Sequence, residues 1–320
     1  MKKNYLKKVM ALGLTAVMTL GLGACGSSSS TASTASSSGT ASTTEATSGA
    51  SSTAASGESY GSKHKVLRVG IECAYAPYNW TQESEEVGNG DKAVKIANNE
   101  GYAYGYDVKV AQMIADKLGW DLEIYKSDWS AIFMGLNSGT YDCIMSGICY
   151  SDERDKTLDF TTPYYCRKIT ATVRADSEFA DFTSLDQFKG KNAKVTSQMG
   201  TNFVDYKSEI PDGESVTDYE TSGEAFQAVL NSTADVCILD QTTSSSALMT
   251  MDGLKVLDLP DDAFTVPEGA SNDCCIAFKE GDPERDEVNE AMKEIGWTTD
   301  NKSQFDDLMD EMLKYQPSQG

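Results

Sequence analysis

The sequence holds a single histidine, His64, in 320 residues. It has no Cys-x-x-Cys pair, and a structural zinc site built from cysteine and histidine is thereby excluded. Basic residues are scarce, with 27 Lys and Arg against 49 Asp and Glu and a net charge of −22. A chain of that sign does not neutralise phosphates, so nucleic acid is excluded as a partner. Beyond the first 24 residues no apolar run reaches the length of a membrane span. Long acidic chains of this kind are soluble, with at most a mild attraction for cations.

The ends of the chain differ in composition. Residues 1–8, "MKKNYLKK", are basic, and residues 9–24, "VMALGLTAVMTLGLGA", are apolar and small. This is the pattern of an export signal and is too short for a stable span. It stops at Cys25 and resembles the bacterial lipoprotein signal, in which that cysteine is acylated. Removal of 1–24, which carry four lysines and no acid, takes the net charge from −22 to −26. Residues 25–62 are a Ser/Thr/Ala/Gly tract that cannot offset its ordering entropy, and they read as a disordered tether. Its reach is on the order of 30–35 Å. A tether of that kind suits the outer face of a Gram-positive membrane. Seven further cysteines, at 73, 143, 149, 166, 237, 274 and 275, leave at least one thiol free.

From residue 63 onward strands and helices alternate. "KVLRVGI" (65–71) reads as a buried strand and 72–82 as an aromatic loop. Residues 83–104, polar and Gly-rich, look like an insertion. "YDVKVAQMIADKLG" (106–119) has helical apolar spacing, with Asp107 as N-cap and Gly119 as stop. "YDCIMSGI" (141–148) reads as a strand and "SDER" (151–154) as the start of a helix. Arg154 in such a first turn opposes the helix dipole and implies an anion to satisfy it. "RKITATVRA" (167–175) and "ADVCILD" (234–240) read as strands. Residues 184–190, 199–209, 222–232, 241–251, 283–297 and 303–315 read as helices. This alternation predicts an α/β architecture with largely parallel sheets. Polar clusters at 72–78, 147–154, 198–202 and 240–241 follow strand ends, where ligands bind in such sheets.

The stretches "LRVGIECAYAPYNW", "GYDVKVAQMIADKLG", "DWSAIFMGLNSGTYDCIMSGICYSDERDKTLDFTTPYY", "SQMGTN" and "ADVCILDQ" together resemble the polar amino acid solute-binding proteins (family 3) of bacterial ABC importers. The resemblance spans about 64–315 in order. It implies a two-lobed clamshell of the periplasmic-binding-protein type II, each lobe a mostly parallel sheet flanked by helices. The first lobe would comprise 63–167 and 273–320 and the second 168–272, with hinges near "YYCRK" and "GASNDC". Carried over by position, Arg154 would hold the ligand α-carboxylate and Asp240 the α-ammonium. Thr201 and Asn202 would donate to the carboxylate from the second lobe. Gly147 and Cys149 would touch the ligand, the cysteine standing where a hydroxyl is usual; its thiol either contacts the ligand or only packs. Tyr75 and Trp129 would sandwich the ligand side chain. Glu72 and Asp107 would face a cationic one, unless Asp107 only caps its helix.

The implied function is a lipid-anchored, monomeric receptor that delivers an amino acid to a permease, best a basic one such as lysine, arginine, histidine or ornithine. A glutamine-type neutral ligand and a ligand sensor feeding a signalling partner are the alternatives. No cofactor or metal is implied. An enzyme on this scaffold is disfavoured, because Cys149, the one candidate nucleophile, has no histidine beside it in sequence.

Overall fold

The computed structural model describes residues 58–317. The signal-like segment, Cys25 and most of the tether lie outside the described residues. Two hydrophobic cores divide the rest. The first draws on residues 67–165 and 274–312, the second on 169–264.

The first core surrounds a five-stranded sheet in the order Asp121–Lys126, Val66–Ile71, Cys143–Ile144, Ala277–Lys279, Leu158–Phe160. Val66–Ile71 runs parallel to both its neighbours, while Ala277–Lys279 is antiparallel to both of its own. The second sheet has the order Glu214–Ser215, Lys194–Thr196, Val236–Asp240, Ile169–Arg174, Leu254–Val256. Its first two pairings are parallel and its last two antiparallel. In each sheet the antiparallel strand, Ala277–Lys279 or Ile169–Arg174, comes just after the chain crosses from the other lobe. Its direction is set by that crossing and not by a helical crossover.

Helix α1 is Tyr60–His64, α2 Tyr106–Leu118, α3 Ile132–Ser138, α4 Ser222–Leu230, α5 Gln241–Thr250, α6 Glu284–Glu294 and α7 Lys302–Tyr315. The apolar spacing expected of 106–119 is realised in α2, which buries Val108, Val110, Ala111, Ile114 and Ala115. Each buried Val or Ile contributes roughly 1.5–3 kcal/mol relative to exposure, and each Ala about 0.8 kcal/mol. Gly119 ends the helix at φ 68°.

Several local expectations change. Helix α1 covers residues assigned to the end of the tether: Ser59 caps it, Gly61 N–H donates to Glu284 Oε2 at 2.8 Å, and the Arg68 guanidinium lies 3.7 Å from the Tyr60 ring centre. Residues 83–104 are not a free insertion. Val94–Lys95 and Tyr102–Tyr104 join Asn79–Gln82 and Ala74–Tyr75 in a four-stranded antiparallel sheet, and Ala93, Ile96, Ala103 and Tyr104 are buried there. The strand at 141–148 shortens to Cys143–Ile144. The helix expected to open at 151–154 is only a 3-10 turn, Arg154–Lys156. Three residues align too few peptide dipoles to make a terminal field, so the dipole conflict at Arg154 does not arise. The helices expected at 184–190 and 199–209 are also 3-10, at Leu185–Phe188 and Asn202–Glu209.

The two crossings run side by side. Cys149–Ser151 pairs antiparallel with Ala270–Cys274, and Tyr165 bridges to Cys274. Among the described residues no helix is long and apolar enough to cross a membrane.

Candidate functional site

Between the lobes lies a closed-down cavity of about 10 Å³, the room of about one water molecule, so a ligand enters only when the lobes part. Its lining gathers strand ends from both sheets and includes residues of three of the four polar clusters, but not Asp240 or Gln241. Glu72 follows Val66–Ile71 of the first sheet, and 146–149 follow Cys143–Ile144. Gln198, Thr201, Asn202 and Phe203 follow Lys194–Thr196 of the second. A larger groove of about 620 Å³ runs past Trp80, Lys126, Tyr219 and Gln227. Its one lining acid, Glu224, already accepts from Thr221 N–H in a capping box. The smaller cavity, with its convergent polar groups, is the candidate site.

Arg154 is half-buried and spans the lobes. Its Nη1 donates to the Cys149 carbonyl at 2.9 Å, and its Nη2 to the Gly200 carbonyl of the second lobe at 3.1 Å. Among the described residues it makes no ion pair with Asp152 or Asp155; Asp152 instead accepts from Tyr150 OH. With two carbonyls and the Cys149 sulfur as its partners, the guanidinium has no carboxylate of its own and can turn its fork to one. Trp129 also crosses the cleft, its Nε1 donating to the Met199 carbonyl at 2.9 Å.

Gly147 sits at φ 61°. A Cβ there would lie 2.8 Å from Tyr75 Cε1, so the chain passes the ring only because no side chain is present. The Tyr75 ring cannot withdraw easily. It stacks on Tyr78 at 4.9 Å, and its hydroxyl donates to Asp240 Oδ2 at 2.7 Å. Cys149 is buried in the lining, its Sγ 3.5 Å from Arg154 Nη1.

Glu72 is the lining carboxylate. Burial pushes it up to about 7, and Gln198 Nε2 donates weakly to Oε2 at 3.4 Å. Its Oε1 is buried with no partner. Gln198 is held in turn by the Glu220 carbonyl at 2.9 Å. Asn202 Nδ2 and Tyr206 OH both donate to Asn272 Oδ1 at 2.7 Å, tying the second lobe to the returning crossing strand. Thr201 OH donates to the Gln198 carbonyl.

Of the ten ligand-site residues expected from sequence, Glu72, Tyr75, Trp129, Gly147, Cys149, Arg154, Thr201 and Asn202 meet in this cavity. Asp107 and Asp240 stand outside the lining. Asp240 caps α5, accepting from Thr243 N–H at 2.9 Å and Thr243 OH at 2.7 Å, and from Tyr75 and Tyr78 across the cleft. Four donors occupy its two oxygens. Asp107 is fully buried and is not an N-cap: Gly105 holds that position, without a side-chain bond. Asp107 accepts from Tyr164 OH and Asn79 Nδ2, each at 2.7 Å, and burial pushes it up to about 7.

The lining adds Ser146, Ile148, Arg167, Gln198 and Phe203. Gln198 was visible as the head of a strand-end cluster. Arg167 was hidden inside the segment assigned to the hinge; a second arginine beside a crossing in so acidic a chain was the available signal.

A model of the family described as bacterial extracellular solute-binding proteins, family 3, matches residues 67–302. The arginine-binding extracellular protein ArtP of Bacillus subtilis is 25% identical over 294 residues, 91% of this chain and 93% of that protein. The L-cystine-binding protein TcyA of the same organism is 24% identical over 298 residues, 92% of each chain. Among solved structures, an amino acid ABC transporter substrate-binding protein from Streptococcus pneumoniae bound to L-arginine superposes with TM-score 0.62 at 20% identity. That match covers 79% of this chain and 96% of that one.

Proposed function

Because the chain belongs to the bacterial extracellular solute-binding proteins of family 3, we propose that it captures a free amino acid between its lobes and presents it to the permease of an ABC importer. The observation that carries this reading is Arg154, a guanidinium without a carboxylate partner that lines the cavity and reaches carbonyls of both lobes. The α-carboxylate takes the fork of Arg154. Glu72, with Oε1 unpartnered, takes the α-ammonium. Asp240, assigned that role by position, instead latches Tyr75 and Tyr78 and supports the closed arrangement. The ring faces of Tyr75 and Trp129 flank the ligand. A ligand that touches both lobes favours closure through its differential contacts.

A basic side chain finds less support. Asp107 lies behind the lining, and Arg167 brings a second cation into the cavity. Catalysis is not proposed: Cys149 has Arg154 as its polar neighbour, and His64 lies in α1. We place the protein on the outer face of the cell membrane, anchored through an acylated Cys25 and working as a monomer.

A thermal-shift screen of the purified protein against the twenty amino acids tests the function. A ligand at 100 times its Kd stabilises the folded state by about 2.7 kcal/mol. At least one amino acid is expected to raise the melting temperature, and no shift from any of them at millimolar concentration contradicts the reading.

A further inference from the structure

We propose that the ligand carries a second carboxylate, and that Arg167 is the group that selects it. The proposal rests on the amino-acid-binding reading above and narrows it to one chemical class.

Arg167 is built into the cavity wall. Its Nε donates to the Asn272 carbonyl at 2.7 Å, and its guanidinium carbon lies 4.9 Å from the Phe203 ring centre. Asn272 is itself fixed by Asn202 and Tyr206. Arg167 lines the cavity. The Nη2 atom is fully enclosed and has no hydrogen-bond partner. Nη1 lies 3.6 Å from the position a Cβ would take on Gly147, the residue that also lets Tyr75 approach.

Among the described residues Arg167 makes no ion pair. The buried carboxylates that could serve it have other donors. Asp107 accepts from Tyr164 and Asn79, and Asp240 from Tyr75, Tyr78 and Thr243. Glu72 is the one acid in the lining. Two guanidiniums therefore face a single carboxylate, and a buried charge without a partner is costly.

A ligand with one ammonium and two carboxylates restores the balance: the ammonium on Glu72, one carboxylate on Arg154 and the other on Arg167. Two sources supply a second carboxylate. One is an acidic side chain, as in glutamate or aspartate, with a single ammonium. The other is a second amino acid head, as in cystine, which brings a second ammonium with it. A lysine or arginine side chain would instead bring a third cation into the site.

Intrinsic fluorescence reads binding, since Trp129 lines the cavity. The wild-type protein is titrated with L-glutamate, its near-isosteric amide L-glutamine, L-aspartate, L-cystine and L-arginine. A dicarboxylate ligand is expected to bind at least about 30-fold more tightly than glutamine or arginine, the usual discrimination of a buried charge pair. Glutamate or aspartate as the tight ligand identifies the side-chain source, and cystine the second-head source; either supports the proposal. In Arg167→Gln the preference for that ligand over glutamine is expected to fall about 100-fold, and Arg167→Lys to recover part of it. A merely structural role for Arg167 would lower both affinities together and leave the ratio unchanged, which overturns the proposal. Tight binding of glutamine or arginine alone, lost in Arg154→Ala, overturns the second carboxylate and leaves the amino-acid-binding reading standing. No binding by any of the five, nor by any other amino acid, removes both. The wild-type titration decides the matter even if the Arg167 variants do not fold.

Discussion

Replacing Gly147 by alanine puts a methyl group where the structure has the edge of Tyr75. Two costs follow and can be separated. The first is conformational: at φ 61° an L-residue is strained by about 1–2 kcal/mol. The second is steric. A Cβ 2.8 Å from Tyr75 Cε1 forces the ring away, against its stacking on Tyr78 and its bond to Asp240. A hydrogen bond to a charged group contributes about 1.5–3 kcal/mol, so partial loss brings the total to about 2–4 kcal/mol. Gly119→Ala is the internal control. That residue has φ 68° but nothing within 4 Å of a Cβ, so it carries the conformational cost alone. Equilibrium urea unfolding of both variants gives the comparison. Gly147→Ala is expected to lose at least about 1 kcal/mol more than Gly119→Ala, and to bind ligand more weakly because its wall has moved. Equal destabilisation of the two would refute the claim that Tyr75 is wedged against the 147 backbone.

Two further substitutions test other parts of the account. Asp240→Asn turns one of two acceptor oxygens into a donor facing the Tyr75, Tyr78 and Thr243 donors; it is expected to destabilise by about 2–4 kcal/mol in urea, and a loss under about 0.5 kcal/mol would show that Asp240 is not the latch. Glu284 is raised by burial to about 8 from 4.5, so the folded state holds its proton more firmly than the unfolded chain does. Its contribution is most favourable below pH 4.5 and is lost as pH rises toward 8, at about 1.4 kcal/mol per pH unit at most. Glu284→Gln keeps an acceptor for Gly61 N–H and is expected to flatten the fall of stability between pH 5 and 8; an unchanged slope would contradict the assignment.

Much of the fold was legible in the sequence because its strongest elements are locally determined. The apolar stripe and terminal glycine of α2, and the largely apolar stretches at 66–71 and 236–239, fix their own structure. Glu72, Gly147, Cys149, Arg154, Thr201 and Asn202 belong to three of the polar clusters that follow strand ends, and these three line one cavity, while the cluster at 240–241 does not. What sequence position does not carry is the direction a side chain takes once a competing donor is near. Asp240 follows its strand as expected, but the tyrosines at 75 and 78 reach it across the cleft and close it off from the cavity. Asp107 is drawn inward by Asn79 and Tyr164. Arg154 lies in a 3-10 turn because the chain at 151–158 must turn straight into the next strand, Leu158–Phe160, leaving no length for a helix. Arg167 was passed over because crossing segments were read as connections, while here the crossing also supplies the wall.

The most direct test of the central claim is calorimetric titration of Arg154→Ala with whichever amino acid binds the wild-type protein. A carboxylate gripped by Arg154 predicts a loss of about 2–5 kcal/mol in binding free energy with the fold intact by circular dichroism. An affinity within threefold of wild type would mean that the ligand's carboxylate lies elsewhere, and the account would fail.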